Sequence, residues 1–172
     1  QYTVQELREA AEYYLAQANA AAQEVPRGAD GVMLEEDFAD LAEHAGDGYQ
    51  ALAETMPCFD GSTARVKKLL SSKFMGATGT TGIFICLTGE SCVNPDTYEA
   101  WIPFTMCHEI GHRQAVAAED EANFCAYLAC MENSSAQPSP SSVPVSKPKL
   151  PPAMHRKYRP SSASATPHQC LS

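Results

Sequence analysis

The pentapeptide His108-Glu109-Ile110-Gly111-His112 has the residue types and the spacing of a metal-dependent hydrolytic site. On a helix, the i, i+4 spacing places both imidazoles on one face, one turn apart, where they can share a metal ion. Glu109 lies about 100° round the helix from His108, where its carboxylate can take a proton from a metal-bound water. Because zinc lowers the pKa of its water to about 7, the motif predicts zinc with Glu109 as general base.

A third protein ligand is expected downstream, because a catalytic zinc commonly has three protein ligands and one open position. An acidic triplet at residues 119–121 begins the next predicted helix, and we predict Glu119 as the ligand, with Glu121 as the alternative. Asn123 shares a helix face with Glu119 and is predicted to hydrogen-bond a ligand histidine. The other three histidines are less suitable, since His44 lies far upstream and the remaining two lie near the C-terminus.

Two helices and a short turn must position these residues. Pro103 suits the first turn of a helix over residues 104–114, because its missing N–H costs nothing there. A second helical pattern covers residues 119–131. The chain must therefore turn sharply at residues 115–118, where neither Gly nor Pro assists it.

The N-terminal part predicts further helices, and the centre predicts a small β-hairpin. Thr3 and Glu6 can form a capping box, and apolar residues then recur at helical spacing. Helices are predicted over residues 4–22, 34–45 and 49–55, and strands over residues 66–70, 83–87 and 91–94. The small-residue run 76–82 lacks the Gly-Lys-Ser/Thr of a phosphate-binding loop and is predicted to be a structural loop.

Charge and composition divide the chain in two. Residues 1–132 hold all 21 acidic residues and seven of the 12 basic ones, a net charge of −14, whereas residues 133–172 hold five basic residues and no acidic one. An acidic body lacks the Lys and Arg that neutralise phosphates, which argues against a nucleic-acid partner. Eight of the 12 prolines and ten serines lie in residues 133–172, so we predict a folded domain over 1–132 and a disordered tail.

Membrane and cysteine patterns add few constraints. No stretch reaches the roughly 18 apolar residues that a membrane span needs, and the chain begins at Gln1 without a signal pattern, so we expect a fragment or a processed form. None of the seven cysteines forms a C-x-x-C pair. Cys125 and Cys130 are predicted in the core, whereas Cys86 and Cys92 can pair across the hairpin.

Several segments, in the same order, resemble bacterial domain of unknown function 3810 (DUF3810). They are residues 26–33, 78–84, 88–94, 104–112 and 119–129, and the Glu119-x-x-Ala122-Asn123 pattern is also similar to the third-ligand helix of gluzincin-type peptidases. The resemblance implies a mainly helical α+β, zincin-like zinc endopeptidase with a peptide or protein substrate. Its zinc ligands would be His108, His112 and Glu119. It also implies an N-terminal membrane anchor ahead of this chain and a domain on the extracytoplasmic face of a bacterial membrane.

Two rival hypotheses remain open. A catalytically silent domain can keep zinc for structure or for binding a partner, and a metal-free helical domain can carry the same residues as a polar helix face. Glu109 separates the hypotheses, because a structural site needs no carboxylate there.

We also expect the hairpin at residues 83–94 to lie beside the cleft, where it can pair with an extended peptide. Tyr127 is predicted to be a core residue rather than an oxyanion stabiliser.

Overall fold

A computed structural model of the chain describes residues 2–34 and 36–133, which form a mainly helical α+β fold. The helices are α1 (Val4–Glu24), α2 (Phe38–His44), α3 (Asp47–Ala53), α4 (Ser72–Ala77), α5 (Ile102–Arg113) and α6 (Glu119–Glu132). The strands are β1 (Lys67–Lys68), β2 (Gly82–Ile85) and β3 (Glu90–Val93). The tail predicted over residues 133–172 lies outside the described residues apart from Asn133, so the domain boundary at residue 132 stays a prediction.

Helix α1 confirms the predicted N-terminal helix and its capping box. The Thr3 hydroxyl oxygen accepts from the Glu6 backbone N–H at 3.2 Å, and the Glu6 carboxylate accepts from the Thr3 N–H at 2.8 Å. Most of this helix is exposed, and one of its contacts with the body is an edge-on stack of Tyr14 against Tyr127 with 5.8 Å between ring centroids. Tyr127 is half-buried against α1 rather than in the core as predicted, and it does not line the cleft described below.

Helix α2 is shorter than the predicted range 34–45, and α3 has the predicted length but begins and ends two residues earlier than predicted. Helix α2 begins at Phe38 rather than at residue 34, because the Asp37 carboxylate accepts from the backbone N–H groups of Ala39 and Asp40 and caps the helix there. In α3, a Cβ on Gly48 would lie 1.9 Å from the carbonyl oxygen of Ala129 in α6. Glycine at this position thus lets α3 lie directly against α6.

The three-stranded sheet has the order β1-β3-β2, with β1 parallel and β2 antiparallel to the central strand β3. The predicted hairpin is confirmed, with Gly82 opposite Val93 and Gly89 in the turn at a φ of 70°. Only Lys67 and Lys68 of the strand predicted over residues 66–70 pair with β3. The suggested pairing of Cys86 with Cys92 is wrong, since both are free thiols.

Helices α5 and α6 form the centre of the core. Pro103 lies in the first turn of α5 as predicted, and α6 begins at Glu119. A Cβ on Gly111 would lie 2.9 Å from the Tyr49 hydroxyl oxygen, which donates its hydrogen to the Cys107 carbonyl at 2.9 Å. The fully buried Ala122 faces the same glycine, so small residues allow the two helices to approach closely.

The residues that the structure describes include no helix with the length and apolar character needed to cross a membrane.

Candidate metal centre and active site

Helices α5 and α6 bring three potential metal ligands to one point. The Nε2 atoms of His108 and His112 are 3.0 Å apart. The Glu119 carboxylate oxygens lie 3.1 Å from His108 Nε2 and 3.5 Å from His112 Nε2. One ligand atom from each residue falls within 4.8 Å of the others, so this cluster can hold a metal ion.

The other ring nitrogen of each histidine has its own hydrogen-bond partner. His112 Nδ1 lies 2.8 Å from the Val116 carbonyl oxygen, which can only accept a hydrogen bond. His108 Nδ1 lies 3.0 Å from the Oδ1 atom of Asn123. With Nδ1 as the donor, each neutral imidazole directs its Nε2 lone pair toward the cluster, which is how metal-binding histidines are commonly oriented.

The electrostatics of this cluster favour binding of a cation. Two Nε2 lone pairs and a carboxylate face one another across 3.0–3.5 Å, and acceptors this close repel unless a positive charge lies between them. Burial of His108, together with the neighbouring His112, lowers the pKa of His108, while the Glu119 carboxylate opposes that shift. Imidazole nitrogen and carboxylate oxygen are ordinary zinc ligands, and the donor set fits that metal.

The turn between α5 and α6 is a Schellman motif with alanine at the left-handed position. The Ala115 N–H donates to the His112 carbonyl at 3.0 Å and the Val116 N–H donates to the Gly111 carbonyl at 3.2 Å. Ala115 has a φ of 68°, a conformation in which an L-residue bears a steric cost that glycine avoids. The sharp turn predicted at residues 115–118 therefore forms without Gly, and it delivers the Val116 carbonyl to His112.

Glu109 is buried beside the cluster with one carboxylate oxygen unsatisfied. The residue is 5% exposed, and its Oε2 atom has no hydrogen-bond partner among the described residues. Burial, with a smaller contribution from the negative charge of Glu119, raises the pKa of Glu109 to about 7. A carboxylate with such a pKa can both accept and return a proton near neutral pH.

The sheet supplies two contacts to Glu109 that the sequence analysis missed. A Cβ on Gly82 would lie 2.5 Å from Glu109 Oε1, so β2 leaves room for the carboxylate only because this residue is glycine. The buried Ser91 hydroxyl of β3 donates to the Glu109 carbonyl oxygen at 2.7 Å and ties α5 to the sheet. The small-residue run that ends at Gly82, directly before a predicted strand, was the sequence signal that could have indicated a close approach there. The contact between Ser91 and Glu109 joins distant segments, so it can be seen only in the folded structure.

Two other candidates for the third ligand, Glu121 and His44, lie away from the cluster. The Glu121 carboxylate interacts with the buried Cys125 thiol and, with burial as the main cause, raises the pKa of that thiol to about 12. Glu121 is not a member of the ligand cluster. His44 lies at the end of α2, where its Nδ1 is 3.0 Å from an Asp47 carboxylate oxygen. Of the candidates within the described residues, only Glu119 joins the two histidines of the motif, and His155 and His168 lie outside those residues.

The cluster opens into a cleft of about 740 Å³ between a helical wall and a sheet wall. Residues 79–84, in β2 and the loop before it, form one side, and one face of α5 with the turn at residues 115–117 forms the other. This volume lies within the range of pockets that bind small molecules. The run 76–82, predicted to be a structural loop, thus contributes its last four residues to the cleft wall.

No curated protein and no solved structure matches the chain significantly. A family model described as "Protein of unknown function (DUF3810)" matches residues 1–139. The match includes the HExxH motif, the Glu119 helix and the hairpin that lines the cleft. The chain therefore belongs to the DUF3810 family.

Proposed function

We propose that this chain is a zinc-dependent endopeptidase with a zincin-like site, in which Glu109 is the general base. One observation carries the proposal: His108, His112 and Glu119 converge on one point beside a buried carboxylate oxygen that has no partner among the described residues. Both histidines engage a hydrogen-bond partner through Nδ1 and leave Nε2 toward the cluster. This is the arrangement that a catalytic metal with an adjacent proton acceptor requires.

The residues of the chain have distinct roles in the proposed reaction. Zinc held by His108, His112 and Glu119 supplies a Lewis acid and a water of lowered pKa. Glu109 Oε2 takes a proton as the water oxygen bonds to the substrate carbonyl carbon. The same carboxyl group then gives that proton to the amine nitrogen as the peptide C–N bond breaks.

The substrate backbone is proposed to lie along β2. This strand is at the edge of the sheet, with only β3 as its neighbour among the described residues, and its residues line the cleft. An extended peptide can add to such an edge through main-chain hydrogen bonds, which hold a chain without reading its side chains. Addition there would align a peptide bond beside Glu109, because Gly82 lies directly against that carboxylate.

Metal content tests the first half of the proposal. We expect the wild type to bind about one zinc ion per chain, and we expect His108→Ala to bind almost none. His44→Ala is the matched control, since His44 is exposed and lies outside the cluster, and it should retain zinc. An equally low zinc content in all three proteins would overturn the metal site.

Peptide cleavage tests the second half. Glu109→Gln should keep its zinc but lose about 10²- to 10⁴-fold in the rate of cleavage of a peptide library. The rival hypothesis, a silent zinc-binding or partner-binding domain, predicts that wild type and Glu109→Gln bind zinc and are equally inactive. Zinc content and cleavage, measured on the same preparations, therefore distinguish the two hypotheses.

The proposal also places the site on the extracytoplasmic face of a bacterial membrane, as the family resemblance implies. Added protease should then degrade the domain in intact spheroplasts. Protection until the membrane is lysed would contradict that placement.

A further inference from the structure

The cleft has two unlike ends along α5. Trp101 and Phe104 line the end before the first ligand histidine, with Phe84 of β2 lining the same cleft. Ala115 and Ala117 line the end beyond the second ligand histidine. The aromatic end therefore offers wide apolar surfaces, whereas the alanine end offers small ones.

The aromatic end is continuous with the candidate metal centre. Trp101, Phe104 and His108 are spaced by three and four residues, so they follow one face of the helical segment. Four residues of α5 separate Phe104 from His108, a rise of about 6 Å along the axis. An extended peptide covers about the same distance in two residues. A substrate side chain two residues from the cleaved bond is therefore within reach of this surface.

Exposure and charge indicate what this surface would bind. Trp101 is 63% exposed although it is large and apolar, and Phe104 is partly exposed. Among the described residues lining the cleft there is no Lys or Arg, and the acidic ones are Glu109 and Glu119 at the site itself. Apart from the proposed zinc, the described lining thus offers no positively charged side chain to pair with an acidic side chain or with the terminal carboxylate of a substrate.

We propose that the aromatic end, formed by Trp101 and Phe104, is a subsite for a bulky apolar side chain about two residues from the cleaved peptide bond. This inference rests on the proposed endopeptidase function and names its preferred substrate class: an internal peptide segment with one large apolar residue. Burying such a side chain against the aromatic surface contributes about a tenfold to hundredfold gain in affinity.

Trp101 is the single tryptophan of the chain, so its fluorescence reports on this subsite directly. The experiment uses the full chain carrying Glu109→Gln, loaded with zinc, so that peptides bind without being cleaved. The peptides are blocked at both termini and differ only at one position, two residues from the central peptide bond, which holds Phe, Ala, Lys or Asp. A further peptide of the same composition carries its Phe two residues from the central bond on the other side. The Phe peptide should bind about tenfold to a hundredfold more tightly than the Ala peptide and should change Trp101 emission.

Of the two peptides that carry Phe, only the one whose Phe reaches the aromatic end should bind more tightly than the Ala peptide. The other Phe peptide and the Lys and Asp peptides should bind no more tightly than the Ala peptide. Trp101→Ala, followed by anisotropy of labelled peptides, should lose the advantage of Phe while keeping the affinity for the Ala peptide. Tyr98→Ala is the matched control, because Tyr98 is 74% exposed and does not line the cleft. Equal affinity for all peptides, or saturation without a change in Trp101 emission, would overturn the subsite.

These outcomes are separable from those of the proposed function. If the wild type cleaves peptides without any preference for a bulky apolar residue, the endopeptidase stands and the subsite is wrong. If the Phe peptide binds with the expected Trp101 response but no peptide is cleaved, the subsite stands and the catalytic proposal is wrong.

Discussion

The two walls of the cleft support different parts of the site. The helical wall, α5 and α6 with their connecting turn, supplies every candidate ligand atom and the hydrogen-bond partners of both imidazoles. The sheet wall, β2 and β3, supplies no ligand. It meets the site through Gly82, which lies against the Glu109 carboxylate, and through Ser91, which bonds the Glu109 carbonyl.

This division implies that the helical wall holds the metal ligands and the proposed base Glu109, whereas the sheet wall shapes the surroundings of Glu109. Changes to the ligands on the helical wall or to their hydrogen-bond partners should alter zinc affinity first, whereas changes on the sheet wall should alter the environment of Glu109 and leave zinc in place. A metal-binding helix pair alone needs no such sheet. Under the proposed function, the contacts of β2 and β3 would hold Glu109 in place beside the metal site.

The largest expected effect concerns the charge of Glu109, the residue at which the two walls meet. Its pKa is about 7 in the folded chain and is expected near its ordinary value of 4.5 in the unfolded chain, so the folded state binds more protons between these values. Glu109 should therefore lower the free energy of unfolding of the metal-free protein by about 3 kcal/mol as pH rises from about 4.5 through about 7, a contribution that comparison with a Glu109 variant isolates. Urea denaturation in the presence of a chelator measures this loss.

Glu109→Gln should remove that component of the pH dependence, because the amide stays neutral throughout. Its stability relative to the wild type should rise with pH in the same window. Glu54→Gln, at an exposed position of the chain, is the control and should follow the wild-type profile. Parallel profiles for wild type and Glu109→Gln would contradict a buried, protonated Glu109.

The next effect isolates the sheet wall. In Gly82→Ala, the new methyl group would lie 2.5 Å from Glu109 Oε1, so the carboxylate must move. A displacement of this size should lower kcat/KM by about a hundredfold, equivalent to about 2.7 kcal/mol, with zinc affinity unchanged. Gly76→Ala is a matched control, since a Cβ there meets only Asn94 Nδ2 at an ordinary 3.4 Å. Loss of zinc from Gly82→Ala would contradict the claim that the sheet wall leaves zinc affinity unchanged.

Local patterns in the sequence were enough to predict the helical wall. The i, i+4 spacing and Pro103 predicted the motif helix, and the acidic triplet predicted where α6 begins. The hairpin was also predicted, because two short apolar runs flank a turn containing Gly89. Each of these signals depends on residues close together in the chain, so these elements can be predicted from the sequence alone.

Contacts between distant segments could not be predicted in the same way. Gly82 and Glu109 are 27 positions apart, and nothing local indicates that a missing side chain in a strand makes room for a carboxylate on a helix. The role of Val116 was missed because its carbonyl, rather than its side chain, contacts His112. The choice of Glu119 over Glu121 was open to doubt until the orientation of α6 placed the latter beside Cys125.

A smaller effect tests the helical wall. Asn123→Ala removes the acceptor at 3.0 Å from His108 Nδ1, so the imidazole loses the partner that fixes its orientation. Zinc affinity should fall by about tenfold to a hundredfold, as is typical when the hydrogen-bond partner of a ligand histidine is removed. Asn123→Asp keeps an acceptor and should retain most of the affinity. Equal zinc affinity in wild type and Asn123→Ala would show that His108 needs no such support.

The smallest effect concerns the turn that joins α5 to α6. Ala115→Gly should stabilise the protein by about 1 kcal/mol, because the left-handed conformation at a φ of 68° costs glycine nothing, although the greater freedom of glycine in the unfolded chain offsets part of the gain. Zinc affinity should stay the same, since the Val116 carbonyl keeps its place beside His112. Ala115→Val provides the contrast: a β-branched residue tolerates this conformation poorly, so it should lower both the melting temperature and the zinc affinity. If Ala115→Val lowered stability but left zinc binding intact, the turn would be a structural link only, and His112 would be oriented by α5 alone.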